Sequence, residues 1–260
     1  MTTRFISDLH LDPKRPEITD GFFAYLDRIQ SDTSTLYILG DLFETWIGDD
    51  DDSPFVETIL NKLRLFSASG VSTYVMHGNR DFLMQSRFCQ RSGTQLIPDP
   101  YEIETPLGKI QLLHGDSLCT DDTDYQAFKA KIRAPESIAF LLSQPLEVRR
   151  SLAQSIRASA KEASSDKASE IMDVNQASVK KTFIENKIKL MIHGHTHRPY
   201  IHQYHWHNEP FTRFVLGDWG KEGFEIIINN NNISLKAFLL EDPNVVRTLP
   251  TMREELHRST

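Results

Sequence analysis

The chain has 260 residues, 39% hydrophobic and 25% charged, with a formal charge of −7. That balance excludes a disordered chain, a collagen-like repeat and a strongly basic duplex-coating protein. Two cysteines, Cys89 and Cys119, exclude a disulfide framework and read as small packing residues in a reducing compartment.

The N-terminus is too short and polar for a signal peptide, and nothing approaches the ~20 apolar residues that span a bilayer. A cytoplasmic chain is the expectation. Residues 3–7 read as a short buried strand, followed by Asp8-Leu9-His10. Phe22, Phe23, Leu26 and Ile29 then recur at helical spacing, with Thr19 as N-cap. Residues 35–39 form the next strand, followed by Gly40-Asp41. Ser53 as N-cap and Pro54 at the first helical position open a helix carrying Val56, Ile59, Leu60 and Leu63. A third strand over 72–76 leads into Gly78-Asn79-Arg80-Asp81.

A hairpin of 101–105 and 109–113 turns at Pro106-Leu107-Gly108 and ends in His114-Gly115-Asp116. From 121 to 185 helical periodicity replaces the strand signal. Strand 188–192 ends in Gly194-His195-Thr196-His197, and strands follow at 200–206, 211–216, 224–228 and 233–238. The asparagine run 229–232 is a turn between the last two. Beyond Leu240 there is no usable pattern, only a charged peripheral tail. The alternation predicts an α/β fold with a β-rich core and one helical insertion.

Five polar clusters sit at strand ends, where open α/β sheets place their sites. Asp, His and Asn are oxygen and nitrogen donors suited to Mn, Fe or Zn. In Asp8-x-His10 and His195-x-His197 alternate residues can point the same way where a strand runs out. Two metals ~3.5–4 Å apart need a shared carboxylate, and Asp41 is the candidate. Asp8, His10 and His197 would complete one metal; Asn79, His114 and His195 would complete the other. Any one of these motifs alone is ordinarily a turn, a cap or a surface histidine. Five together, each behind a strand, are improbable by chance.

This order of motifs resembles the calcineurin-like metallophosphoesterase family. The resemblance implies a two-metal αββα sandwich that hydrolyses phosphate esters or anhydrides, with Asp8, His10, Asp41, Asn79, His114, His195 and His197 as ligands. Where many members have a histidine after the Asn, this chain has Arg80. Arginine does not give up a proton near neutral pH, but it clamps phosphate and stabilises charge. A leaving group that needs no acid is a weak base, such as the phosphate of a pyrophosphate. Anhydride cleavage is therefore favoured; the alternative is that Arg80 only pairs with Asp81.

Lys129, Lys131, Arg133, Arg149, Arg150, Arg157, Lys161 and Lys167 face four acids over residues 129–167, a local +4 within a chain of −7. A basic, partly apolar helical segment beside a phosphate site suggests an anionic lipid or membrane surface, although an ordinary helical cap has the same periodicity. Longer stretches, 40–50, 77–82, 114–122, 125–128, 171–176 and 193–199, resemble the UDP-2,3-diacylglucosamine diphosphatases of lipid A biosynthesis. That resemblance runs from Phe5 to about Phe238. It implies a phosphoesterase core over 1–120 and 186–240, a lipid-holding helical cap over 121–185, and a tail over 241–260.

The same resemblance implies two Mn²⁺ ions, peripheral association with the cytoplasmic side of the inner membrane, and neither a nucleic-acid nor a protein partner. The expected reaction yields UMP and 2,3-diacylglucosamine 1-phosphate by two-metal-activated hydroxide attack on the uridine-side phosphorus. Asp41, Asn79, Arg80 and His195 carry the catalytic roles. Substrate contacts fall on Asn79, Arg80, Asp122, Lys167 and His195, with Tyr125 nearby. Ala160 and Ser164 occupy cap positions where the subfamily often has Ser and Asn, which puts those two contacts in doubt. A nuclease would need a basic groove, which the net charge disfavours. A non-catalytic scaffold need not retain seven ligands.

Overall fold

The computed structural model describes residues 2–165, 173–206 and 208–253. The chain begins β1 (Thr2–Ile6), α1 (Pro16–Ile29), β2 (Thr35–Ile38), α2 (Pro54–Ala68), β3 (Ser72–Met76) and α3 (Ser86–Ser92). Strands β4 (Gln95–Ile97), β5 (Tyr101–Thr105) and β6 (Gly108–Leu112) follow. Helices α4 (Thr123–Ile132), α5 (Pro135–Ser143), α6 (Leu146–Ser165) and α7 (Gln176–Glu185) come next. The chain ends with β7 (Leu190–His193), β8 (Tyr200–Trp206), β9 (Glu209–Val215), β10 (Glu222–Asn229), β11 (Asn232–Leu239), β12 (Val246–Thr248) and β13 (Thr251–Arg253).

The strands build a seven-stranded sheet, β12-β11-β10-β1-β2-β3-β4, and a six-stranded sheet, β13-β8-β9-β7-β6-β5. Strands β1 to β4 are parallel neighbours, as are β6, β7 and β9. Alternation along each strand separates the layers. Ile6, Leu36, Ile38 and Val75 meet Phe22 and Leu26 of α1 and Ile59 and Leu63 of α2. Phe5, Tyr37, Leu39 and Met76 point the other way, against Ile110, Leu112, Ile192 and Phe214 of the second sheet. On that sheet's far face Met191, Tyr204 and Phe211 pack on Val179 and Phe183 of α7. The architecture is the expected αββα sandwich with a helical insertion. Among the described residues no helix is long and apolar enough to cross a membrane.

Local chemistry moves several expected boundaries. Helix α1 starts at Pro16 behind Arg15, and Thr19 is a buried residue inside it rather than its cap. Proline at the first turn starts a helix by fixing φ where no N–H is needed. Ser53 does stand before α2, but its side chain makes no capping bond. Strand β7 starts at Leu190 because Ile188 N–H still closes the end of α7 on Phe183 O (3.2 Å). The short α3 and β4 had no strong periodicity to announce them.

The tail also departs from expectation. Strand β12 pairs with β11 and β13 with β8, so the segment passes from the edge of one sheet to the edge of the other. Leu249 between them packs on the inter-sheet core.

Helix α7 is rooted by Phe183, fully buried among Tyr204, Trp206 and Phe211 at ring separations of 6.3, 5.8 and 5.4 Å. Phe183→Ala is expected to cost about 3–5 kcal/mol of unfolding free energy, checked by urea denaturation.

Candidate metal centre

The seven expected ligands sit on loops that leave strand ends in tight turns. Asp8, His10, Asp41, His195 and His197 all have left-handed backbones, with φ of 56°, 51°, 52°, 68° and 56°. That conformation costs an ordinary L-residue about 1–2 kcal/mol, so the surroundings must hold it. Asp8 N–H donates to Gly40 O (3.1 Å), His10 N–H to Asp41 O (3.0 Å) and Gly194 N–H to His114 O (2.8 Å). A Cβ on Gly40 would lie 2.6 Å from His114 Nδ1 and 2.7 Å from Gly78 Cα, so only glycine lets these loops close.

All seven side chains converge. Asp8, His10 and His197 form one cluster and Asp8, Asp41 and His114 another, each with donor atoms within 4.8 Å of one another. His10 Nε2 lies 3.2 Å from His197 Nε2, and His197 Nε2 lies 3.5 Å from Asp8 Oδ1. Asp41 Oδ2 stands 3.8 Å from His10 Nε2 and 3.8 Å from His114 Nε2, between the two clusters. Asn79 Oδ1 lies 3.0 Å from His114 Nε2 and 3.1 Å from His195 Nδ1. Asp8 enters both clusters, a sharing that spacing alone did not anticipate.

The donor set fits divalent cations on more than composition. His10 Nδ1 faces Glu44 Oε2 at 2.7 Å, and His114 Nδ1 faces Leu39 O at 2.9 Å. With protons on those nitrogens, both Nε2 lone pairs aim inward, as a metal-ligating imidazole requires. The oxygen and nitrogen donors match Mn, Fe or Zn.

Electrostatics follow from crowding. Burial alone would lower the pKa of His114, but the carboxylates of Asp41, Asp116 and Asp8 raise it to about 9. Burial and the neighbouring His114 charge push His195 down to about 4. Asp81 is raised to about 6 by burial and by Asp41, although Gly78 N–H (2.7 Å) and Leu42 N–H (2.8 Å) both donate to it. Burial opposes ionisation of Asp8 and Asp116, yet their cationic neighbours hold both well below the usual carboxylate range.

Asp81 is thus committed to backbone and does not pair with Arg80. The Arg80 main-chain N–H donates to Asp41 Oδ1 (2.8 Å), while its buried Nε has no hydrogen-bond partner among the described residues. Asp122 Oδ1 accepts Tyr125 N–H (3.1 Å) and caps α4. The Tyr125 ring stacks on His195 at 6.1 Å, and its hydroxyl donates to Asp116 Oδ2 (2.7 Å). Ala160 and Ser164 lie on α6, where the described side chains stop short of them; Lys167 lies outside the described residues.

Several working residues escaped the sequence reading. Asp116 is fully buried and receives Lys129 Nζ (2.8 Å) and Arg133 Nη2 (3.2 Å) as well as Tyr125, which pins α4 to the core. Glu44 holds His10, and Asp218 Oδ2 lies 3.6 Å from His197 Nδ1. Asp81 and Asp116 stood inside motifs already quoted, but their partners were invisible. Five of the cap's eight cations have ion-pair partners. Lys129 and Arg133 go to Asp116, Arg149 to Asp50, Arg150 to Glu147 and Arg157 to Glu44. His202 on β8 stacks on Tyr204 and meets Tyr200 at a tilt, and both groups of metal-capable side chains among the described residues are at this centre.

The profile of the calcineurin-like phosphoesterases matches residues 1–199. The chain belongs to the calcineurin-like phosphoesterase family. Within it, the chain is 44% identical over 238 residues to a protein named UDP-2,3-diacylglucosamine hydrolase from Escherichia coli O7:K1, covering 92% of this chain and 99% of that one. The protein of that name from Escherichia coli O17:K52:H18 is 43% identical over the same shares of each chain. A solved archaeal phosphodiesterase aligns with a TM-score of 0.47 at 12% identity, over 92% of this chain and 99% of its own.

For this calcineurin-like phosphoesterase, the raised pKa of His114 stabilises the metal-free fold fully below about 6.5, and the contribution is lost as pH rises through about 9. Ligation must displace that proton. Adding Mn²⁺ to metal-free protein near neutral pH is expected to release protons in weak buffer, and apparent affinity should rise over this window. A pH-independent affinity would remove His114 from the ligand set.

Proposed function

We propose that this chain hydrolyses the pyrophosphate of UDP-2,3-diacylglucosamine to UMP and 2,3-diacylglucosamine 1-phosphate, a step of lipid A biosynthesis. The observation that carries this reading is the 44% identity, over 92% of the chain, to a relative named for that substrate. The convergence of seven oxygen and nitrogen donors on one sheet edge supports it.

Asp8, His10, Asp41, Asn79, His114, His195 and His197 would hold two Mn²⁺ ions. Bound there, such ions supply Lewis-acid charge and lower the pKa of a water for attack on the uridine-side phosphorus. The chain's own part is orientation. Arg80, with its unpartnered Nε, clamps a phosphoryl oxygen and neutralises charge as the bond breaks. The departing sugar phosphate is a weak base and needs no proton donor, which suits an arginine at this position. Asn79 and His195 would face the same oxygens, and Asp122, Tyr125, Ala160, Ser164 and Lys167 are the further substrate contacts that the resemblance implies.

Residues 1–120 and 186–240 act as the core, 121–185 as the cap and 241–260 as the tail. Phe128, Phe140, Val148, Leu152 and Ile156 leave apolar surface exposed on the cap helices, Phe140 most of all at 62%. That surface suits acyl chains and peripheral contact with the cytoplasmic side of the inner membrane.

Hydrolysis of UDP-2,3-diacylglucosamine in ¹⁸O-water with Mn²⁺ tests the reaction. Label is expected in UMP; label in the sugar phosphate would reverse the point of attack, and no hydrolysis would overturn the substrate. Asp41→Ala should abolish turnover. Arg80→Ala should lower kcat by at least a hundredfold with metal content unchanged, whereas loss of metal would make Arg80 structural.

A further inference from the structure

Glu44 stands where the cap meets the metal centre, and each of its oxygens is committed to a different element. Oε2 lies 2.7 Å from His10 Nδ1. Oε1 accepts Nη2 of Arg157, which projects from α6 across more than a hundred residues of sequence. Arg157 Nη1 also reaches Thr45 Oγ1 (3.3 Å) and comes within 3.8 Å of Asp12 Oδ2.

The backbone leaves Glu44 little freedom. Its N–H donates to Leu11 O (3.1 Å), beside the parallel bridge between Leu11 and Phe43. The carboxylate is thereby attached to the same loop that carries His10.

We propose that Glu44 is a positioning residue for His10, and that Arg157 of the cap helix α6 holds it in place. The chemistry is that of a carboxylate charge held 2.7 Å from the outer nitrogen of an imidazole, an ion-pair contact rather than a linear hydrogen bond. That contact favours the tautomer with its proton on Nδ1 and Nε2 free, facing Asp8 and His197. Arg157 occupies the other oxygen, so the carboxylate does not turn to solvent. The seating of α6 is thus linked to the geometry of one metal-site histidine. This inference rests on His10 being a metal ligand, as the proposed function holds.

The test is Mn²⁺ titration of the full chain by calorimetry and electron paramagnetic resonance, with thermal melting in parallel. Glu44→Ala is expected to weaken Mn²⁺ affinity about 10–100-fold, the usual consequence of removing a partner that orients a ligand. Glu44→Gln retains an acceptor for His10 Nδ1–H and should recover part of that loss. It also serves as the decisive variant should Glu44→Ala fail to fold. Arg157→Ala should weaken binding in the same direction by a smaller factor, and Arg157→Lys should restore part of it.

Unchanged Mn²⁺ affinity in both Glu44 variants, with a lowered melting temperature, would mean that Glu44 only docks α6, and would overturn the proposal. Wild-type affinity in Arg157→Ala would overturn the link to the cap. A wild-type chain that binds Mn²⁺ but does not cleave the pyrophosphate would overturn the substrate reading alone, since the affinity comparison needs no substrate. A wild-type chain that binds no Mn²⁺ would overturn both.

Discussion

A carboxylate without access to solvent, Asp8, holds the two sheets together where they meet. It accepts the Ser7 hydroxyl at 2.5 Å and the His195 N–H at 3.0 and 3.1 Å, and it lies beside His197. A buried charge is costly unless it is fully hydrogen-bonded or paired. Its partners His195 and His197 come from the loop after β7, in the opposite sheet, so the ends of β1 and β7 must be brought together. Gly40, Gly78 and Gly194 make that approach sterically feasible, because a side chain at any of them would strike a neighbouring loop. The strained left-handed turns at the expected ligands are the local cost of crowding anions and imidazoles at one edge.

A ring of charged joints couples the cap to this edge. Asp116 gathers Tyr125 and Lys129 of α4 and Arg133 just past its end, and Arg133 also donates to Gly78 O (2.9 Å). Arg149 is buried against Asp50 and the Ile47 carbonyl. Arg157 reaches Glu44. Each joint joins a cap helix to a loop that also carries an expected ligand or adjoins one. Lys129, Arg133, Arg149 and Arg157 thus fasten the insertion to these loops.

Much of the fold was legible in the linear order of residues. Short buried strands alternating with helical patterns announced the layered class, and the structure puts a different core on each face of those strands, as Phe5 and Ile6 illustrate. The candidate ligand motifs were legible because each follows a strand, and parallel strands send their ends to a common edge. The short α3 and β4 were not, because so few residues carry little periodicity. The tail was not either. Its strands β12 and β13 are defined by the sheet edges they complete rather than by their own pattern.

By itself the sequence pointed to the layered α/β class and to seven candidate donor side chains. These are properties of residue type and spacing, which need no long-range contact to be read. Tertiary structure alone decided that Asp8 serves both clusters, that Asp81 belongs to the backbone and that Glu44 joins His10 to Arg157. A carboxylate can pair with any of several donors, and which one it meets depends on how loops far apart in the chain are brought within 3 Å.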